Sequence, residues 1–268
     1  MRAEAPAKIN LALVVGPARP DGKHEVVTLL QRIDLCDTIE LGPSDELRIE
    51  GFADDTIVRR ALEALAAAAH VKPRWRVGIE KRIPVAAGLG GGSSDAATAL
   101  RLANATLETP LQQAQLHELA RTLGADVPFF LEPGPQLGTG DGSTLAPLDL
   151  PQGYSVLLVH PAGAEKESTG AVYARFDGAE GFSERRDRVL EIVREATAPR
   201  DLANLPRNDL AASPLAEELA GLGAFRADVS GAGPVVYGLF DDRASAEQAA
   251  ARIGGAGQLW IAAPAWYV

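Results

Sequence analysis

Apolar positions along this chain change rhythm several times, and each change predicts an element. Residues 8–15 (KINLALVV) form an apolar run broken only by Lys8 and Asn10 and read as a strand. Residues 46–51 (ELRIEG) and 74–80 (RWRVGIE) alternate with the two-residue period of half-buried strands. Between them, 57–69 (IVRRALEALAAAA) is rich in alanine and leucine and predicts a helix. The glycine-rich stretch 84–94 (PVAAGLGGGSS) feeds a second helix starting near Ser94 or Asp95. A third helix, 110–123, opens with Pro110 and stops at Gly124.

Residues 132–153 are rich in turn formers, and beyond them the order changes. A buried strand is predicted at 154–160, helices near 168–176 and 184–197, and a strand near 226–229. A tight turn at 230–234 (SGAGP), a strand at 235–240, a helix at 244–253 and a last strand at 258–263 complete the series. The expected architecture is α+β in two lobes, residues 1–150 and 151–268, with the glycine loop at their junction.

Length fits that division, since 268 residues suffice for one large domain or two smaller ones sharing a cleft. A formal charge of −10 argues against general attraction to nucleic acid or an anionic membrane. Any phosphate must therefore be held by local donors. Cys36 is the only cysteine, which excludes an internal disulfide and leaves a cysteine-based metal site without ligands. His24, His70, His117 and His160 do not fall at metal-ligand spacing, so no protein-built metal centre is expected. The opening MRAEAPAKIN has no long apolar run, and no stretch is long enough to span a bilayer. The expectation is a soluble, cytoplasmic protein, monomeric or weakly dimeric.

Three positions carry candidate chemistry. Four glycines within Gly88–Gly92, followed by Ser93, Ser94 and a helix, can curl the backbone so that amides and a helix N-terminus face an anion. No lysine follows, so this is not a Walker A loop, and Ala86, Ala87 and Leu89 spoil a dinucleotide fingerprint. The plain alternative is a flexible strand-to-helix turn. Ser94 could cap the helix. Asp126, between Gly124 and Pro128, sits where a carboxylate at the core's edge can be oriented, though local turn hydrogen bonds would explain it as well. Lys8 interrupts an apolar strand, where an unpaired buried ammonium would be costly. It is either an edge lysine in solvent or the partner of a charged group. Asn10 shares its strand face and could hold a substrate hydroxyl or Asp126.

The segment from Pro84 to Ala97, Pro-x-x-x-Gly-Leu-Gly-Gly-Gly-Ser-Ser-x-Ala-Ala, resembles the phosphate-binding motif of the galacto-, homoserine, mevalonate and phosphomevalonate kinase superfamily. Its longer glycine run is similar to that of members acting on a cytidine diphosphate-linked methylerythritol in non-mevalonate isoprenoid synthesis. Pro6–Leu11, Asp21–His24 with the following TLLQRIDLCD, Leu123–Phe129 and Ser230–Pro234 agree with that likeness, in the right order.

The resemblance implies ATP-dependent phosphorylation of a hydroxyl, with ATP and Mg²⁺ as cofactors. It assigns Lys8 and Asp126 to catalysis. ATP falls to Pro84, Val85, Ala86, Ala87, Gly88, Leu89, Gly90, Gly91, Gly92, Ser93, Ser94 and Lys81, and the cytidine substrate to Asn10, Lys23, His24 and Tyr173. Gly231 and Gly233 would shape the far side of the cleft. The alternatives are a superfamily kinase for homoserine or a mevalonate derivative, or a catalytically silent nucleotide-binding protein. Three positions depart from the resembling pattern: Lys23 replaces a tyrosine that packs on cytosine, Thr56 replaces an asparagine facing adenine, and Gly138–Gly142 lacks a basic residue.

Overall fold

The computed structural model describes residues 1–52, 56–164, 168–176, 178 and 180–266, without the side chain of Thr56, so that departure lies outside what is described. Strand β1 (Arg2–Ala18) turns back along β2 (His24–Pro43) as a long antiparallel hairpin. Residues 5–16 are buried without a break, which hides the two-residue period and explains why only 8–15 stands out in the sequence. Pairing slips between Pro6 and Ala7 and between Asn10 and Ala12. Such bulges bend a strand and re-aim its side chains, here on either side of Lys8 and Asn10.

The expected strand 46–51 shrinks to β3 (Arg48–Glu50), which pairs parallel with β4 (Trp75–Glu80) across helix α1 (Thr56–Ala68). Helix α2 (Gly91–Asn104) begins three residues before Ser94. Helix α3 (Gln113–Leu123) leaves Pro110 outside, and the Gln115 side chain accepts the Gln112 amide at 2.9 Å to start it. A buried 3₁₀ turn, Pro128–Leu131, follows. The turn-rich stretch holds a small hairpin, β5 (Gln136–Thr139) and β6 (Thr144–Pro147). The first sheet runs β3-β4-β2-β5-β6, with β1 on β2.

Past Leu150, which is buried, come β7 (Ser155–Pro161), α4 (Thr169–Ala174), α5 (Phe182–Glu195) and α6 (Pro214–Gly221). Strands β8 (Arg226–Val229) and β9 (Val236–Phe240), helix α7 (Arg243–Ile253) and β10 (Gly257–Ala262) complete an antiparallel sheet ordered β10-β7-β9-β8. Mixed helices and strands around two sheets give the α+β class that the patterns predict.

Three apolar layers hold these parts. Leu62, Leu65, Ala99, Leu100 and Phe129 pack α1, α2 and the 3₁₀ turn on one face of the first sheet. Ile9, Leu11, Val156, Leu158 and Leu239 join the two sheets, and the Tyr237 hydroxyl donates to the Leu11 carbonyl at 3.2 Å. Leu157, Val159, Leu219 and Ile253 bury α6 and α7 on the far face of the second sheet. β1 therefore crosses the molecule between two cores, and Lys8 and Asn10 emerge where it meets the glycine loop. No described helix is long and apolar enough to cross a membrane.

Candidate active site

The glycine loop runs from β4 to α2 and is pinned to the protein through its carbonyls. The Lys8 amide donates to Leu89 O at 2.9 Å, Val235 N to Ala87 O at 3.2 Å and Ser230 Oγ to Gly88 O at 3.0 Å. Among the described residues, the amides from Gly88 to Ser93 find no acceptor in the protein. Carbonyls are thus spent inward while free amides and the α2 N-terminus are left for an anion.

Glycine is required here for two reasons. Gly88 has φ +83°, and a Cβ on it would lie 2.2 Å from the Ser230 carbonyl. Gly90, at φ +71°, is the residue that caps α2, and its missing Cβ leaves room for Phe130 at 3.0 Å and Lys8 Cγ at 3.1 Å. Ser94 accordingly is not the cap. It lies inside the first turn, wholly buried, and its hydroxyl has no partner among the described residues. Ala86 also takes a positive φ, 59°, a strained setting for an alanine that the sequence did not announce.

Lys8 is 3% exposed, with its ammonium on Asn10 Oδ1 at 2.6 Å and Asp126 Oδ2 at 3.5 Å. The lysine is the partner of a charged group rather than an edge residue in solvent. Asn10 serves Lys8 instead of touching Asp126, and its amide nitrogen donates to Thr28 Oγ1 at 2.8 Å. Asp126 occupies the turn closed by Val127 N to Gly124 O, at 3.2 Å, with its carboxylate partly open. Beneath it the 3₁₀ turn is fixed by the buried Arg32, whose guanidinium donates to Phe129 O and Gly134 O and stacks 4.5 Å over the Phe129 ring. Burial and the neighbouring Arg101 charge push the Arg32 pKa down to about 9. Nothing in the sequence marks Arg32 as a support of the Asp126 segment; its hydrogen bonds and ring contact emerge only on folding.

Lys81 lies behind the loop in an ion pair with Asp37 and Asp95. At the other end, His24 Nδ1 donates to the Gly16 carbonyl at 2.9 Å, leaving Nε2 as the acceptor of the neutral ring. Tyr173 and Phe176 stand 5.9 and 5.7 Å from the His24 ring, ring centre to ring centre. Burial and the Asp126 charge hold the Tyr173 hydroxyl above its ordinary pKa. Phe176 escapes sequence reading because only the α4 turn brings it to His24. Lys23 is exposed and ion-paired to Asp141 in the β5–β6 turn. That pair, with Ser143, holds the Asp141 carboxyl well below the usual range.

One cleft of about 730 Å³ is lined by Lys8, Lys81, the loop 84–93, Asp126, Lys23, His24, Tyr173, Asp141 and Gly231. Such a volume accommodates a small-molecule ligand. Ser94 is behind the wall, and Gly233 is not part of the lining. A triphosphate-sized anion at the loop amides would lie beside an ammonium and a carboxylate able to accept a proton.

Comparison with known proteins agrees with this chemistry. Residues 56–134 match the N-terminal domain model of the GHMP kinases, and 210–258 match their C-terminal model. The chain is 39% identical over 260 residues to a 4-diphosphocytidyl-2-C-methyl-D-erythritol kinase of Geobacter sulfurreducens, covering 92% of each chain. It is 37% identical over 269 residues to one of Salinibacter ruber, again covering 92% of each. A crystal structure of 4-(cytidine 5'-diphospho)-2C-methyl-D-erythritol kinase superposes over the full length of both chains with TM-score 0.81 and 31% identity. A mevalonate kinase structure shares the fold, at TM-score 0.78 and 14% identity.

Proposed function

We infer, since the chain belongs to the 4-diphosphocytidyl-2-C-methyl-D-erythritol kinase family of GHMP kinases, that it transfers the γ-phosphoryl group of ATP to the C2 hydroxyl of 4-diphosphocytidyl-2-C-methyl-D-erythritol. The observation that carries this reading is the row of unsatisfied loop amides beside the Lys8–Asp126 pair. In the reaction the acceptor oxygen forms a bond to the γ-phosphorus while the bond to the ADP oxygen breaks. The hydroxyl proton passes to the Asp126 carboxylate. Lys8, held on Asn10, stabilises charge on the transferring group and orients the Asp126 carboxylate. Positioning and electrostatics supply most of the catalysis in such transfers, so two charged side chains suffice.

The loop from Pro84 to Ser93 holds the triphosphate, with Lys81 behind it. Mg²⁺ would supply charge neutralisation on the triphosphate. Among the described residues no cluster of three acidic, histidine or cysteine side chains could hold the ion alone. Of the two loop serines, Ser93 lines the cleft and offers a hydroxyl oxygen, a hard donor of the kind Mg²⁺ takes, whereas the orphaned Ser94 hydroxyl lies behind the wall. His24 Nε2 suits the amino group of cytosine, and Tyr173 offers aromatic surface to the ring, with Phe176 packed against His24 outside the lining. Lys23 lies within the same end of the cleft and suits the diphosphate. A cytoplasmic location and a monomeric or weakly dimeric state belong to the same proposal.

ADP release measured across a panel of alcohols tests the reading. Turnover is expected with the cytidine diphosphate substrate and not with homoserine or mevalonate. The opposite preference, or ATP binding with no transfer to any acceptor, would overturn it.

A further inference from the structure

Behind the glycine loop, Asp37 and Asp95 form with Lys81 a group of charges of which only the lysine reaches the cleft. Asp37, on β2, is wholly buried. Its Oδ1 accepts the backbone amides of Arg82 at 2.6 Å and Ile83 at 2.8 Å, and its Oδ2 accepts Lys81 Nζ at 2.5 Å. The same ammonium donates to Asp95 Oδ2 in α2 at 2.7 Å, and Asp95 is also wholly buried. One carboxylate therefore ties β2 to the turn that delivers Pro84, and one ammonium ties that turn to the helix whose N-terminus faces the cleft.

Burying two carboxylates and an ammonium is costly, and the cost is offset only where geometry satisfies them together. Asp37 meets that condition with three donors. The arrangement also explains Gly91, whose φ is not positive. A Cβ there would lie 3.1 Å from Ile83 Cγ2 and 3.3 Å from Lys81 Nζ. Gly91 is bare so that the ammonium can press against the first turn of α2. A cation at that place adds to the positive end of the helix, while the two carboxylates keep it from swinging forward into the cleft. Asp37 itself lines no part of the cleft and contacts none of His24, Lys23 or Tyr173 among the described residues.

We propose that Asp37 is the positioning residue of the nucleotide end: by fixing the 81–83 turn and seating Lys81 against α2, it presents the loop amides to ATP already in place. The proposal rests on the reading of the loop as the ATP site, and the experiment separates the two. ATP affinity of the full chain is measured by calorimetry for wild type and Asp37→Asn, alongside the KM for the alcohol acceptor at saturating ATP. Asparagine keeps the shape but turns a donor toward Lys81. ATP affinity is expected to fall at least about tenfold, the scale of one lost charge-assisted hydrogen bond, with the acceptor KM within about twofold. Unchanged ATP affinity, or equal losses for ATP and acceptor, would overturn the proposal and leave the ATP site standing. A wild-type chain that binds no ATP overturns both. Should the variant not fold, amide exchange on the unaltered, ATP-free protein decides. Protection of Arg82 and Ile83 matching β2 supports a preformed turn, and exchange as fast as that of the free loop amides refutes it.

Discussion

The two ends of the cleft use the same pair of chemical groups in opposite ways. Three lysines line it, and each meets a carboxylate. Side-chain exposure is 4% for Lys8 and 15% for Lys81 but 61% for Lys23. At the glycine-loop end Asp37 and Asp95 are buried, Asp37 accepts two backbone amides besides Lys81, and Gly91 leaves room for the ammonium. At the acceptor end Lys23 and Asp141 sit on two surface turns, and either can leave the other for solvent or ligand. A buried ion pair fixes one geometry, because breaking it strands a charge. An exposed pair contributes little and is free to exchange. The cleft thus combines a rigid end at the glycine loop with an adaptable end at Lys23 and Asp141.

Asp126 stands between the ends, and its removal should give the largest effect. Asp126→Asn keeps the shape and loses the proton acceptor, so turnover is expected to drop about 10²- to 10⁴-fold. Affinity for ATP should survive. Near-normal turnover by the folded variant would break the assignment.

Rigidity of the nucleotide end is tested next by Gly88→Val. The added Cβ meets the Ser230 carbonyl and the backbone holds a positive φ. Left-handed strain and overpacking together should cost about 2–4 kcal/mol, read as a lower urea midpoint, with weakened ATP binding in whatever remains folded. A wild-type midpoint would mean that the loop yields as easily as the acceptor turns.

A smaller effect is expected at the other end. Lys23→Tyr exchanges a screened cation for an aromatic face, so the acceptor KM should become less sensitive to salt. Steady-state kinetics at low and high ionic strength measure it. Identical slopes for both proteins would show that Lys23 takes no part in holding the diphosphate.

The smallest change concerns stability and pH. The folded-state pKa of Asp141 is depressed, so its pairing stabilises the protein above the ordinary carboxylate range and is lost as pH falls through the folded value. Asp141→Asn should therefore cost less than about 1 kcal/mol at neutral pH, since Lys23 is largely exposed. The gap from wild type should close progressively below about pH 4. A gap that is constant across that range, in denaturation curves taken at each pH, would show that the pair contributes nothing through charge.

Local pattern made several of these features legible before folding. Alanine-rich 57–69 became α1 within one residue at each end, because helix propensity and an apolar face agree there. The glycine run stood out as a candidate phosphate loop because four positions in five without a Cβ leave the backbone free to turn its amides outward. Lys8 stood out because an ammonium in an apolar strand demands a partner. Elsewhere local preference pointed the wrong way. Serine is the better N-cap by propensity, yet Gly90 caps α2, since Phe130 and Lys8 occupy the space a side chain would need. The hairpin β5–β6 was hidden by turn formers whose pairing partner, β2, lies about a hundred residues away.

What the sequence determined by itself was most of the elements, the class of the fold and the list of groups proposed to meet phosphate and proton. Those follow from periodicity, propensity and the few side chains able to do such chemistry. Which partner each charge takes was decided by tertiary structure alone. Asp37 lies 44 residues from Lys81, Asp95 lies 14 away and Asp126 is 118 from Lys8. The worth of each pairing depends on how much water the folded chain removes from it, and no local pattern carries that quantity.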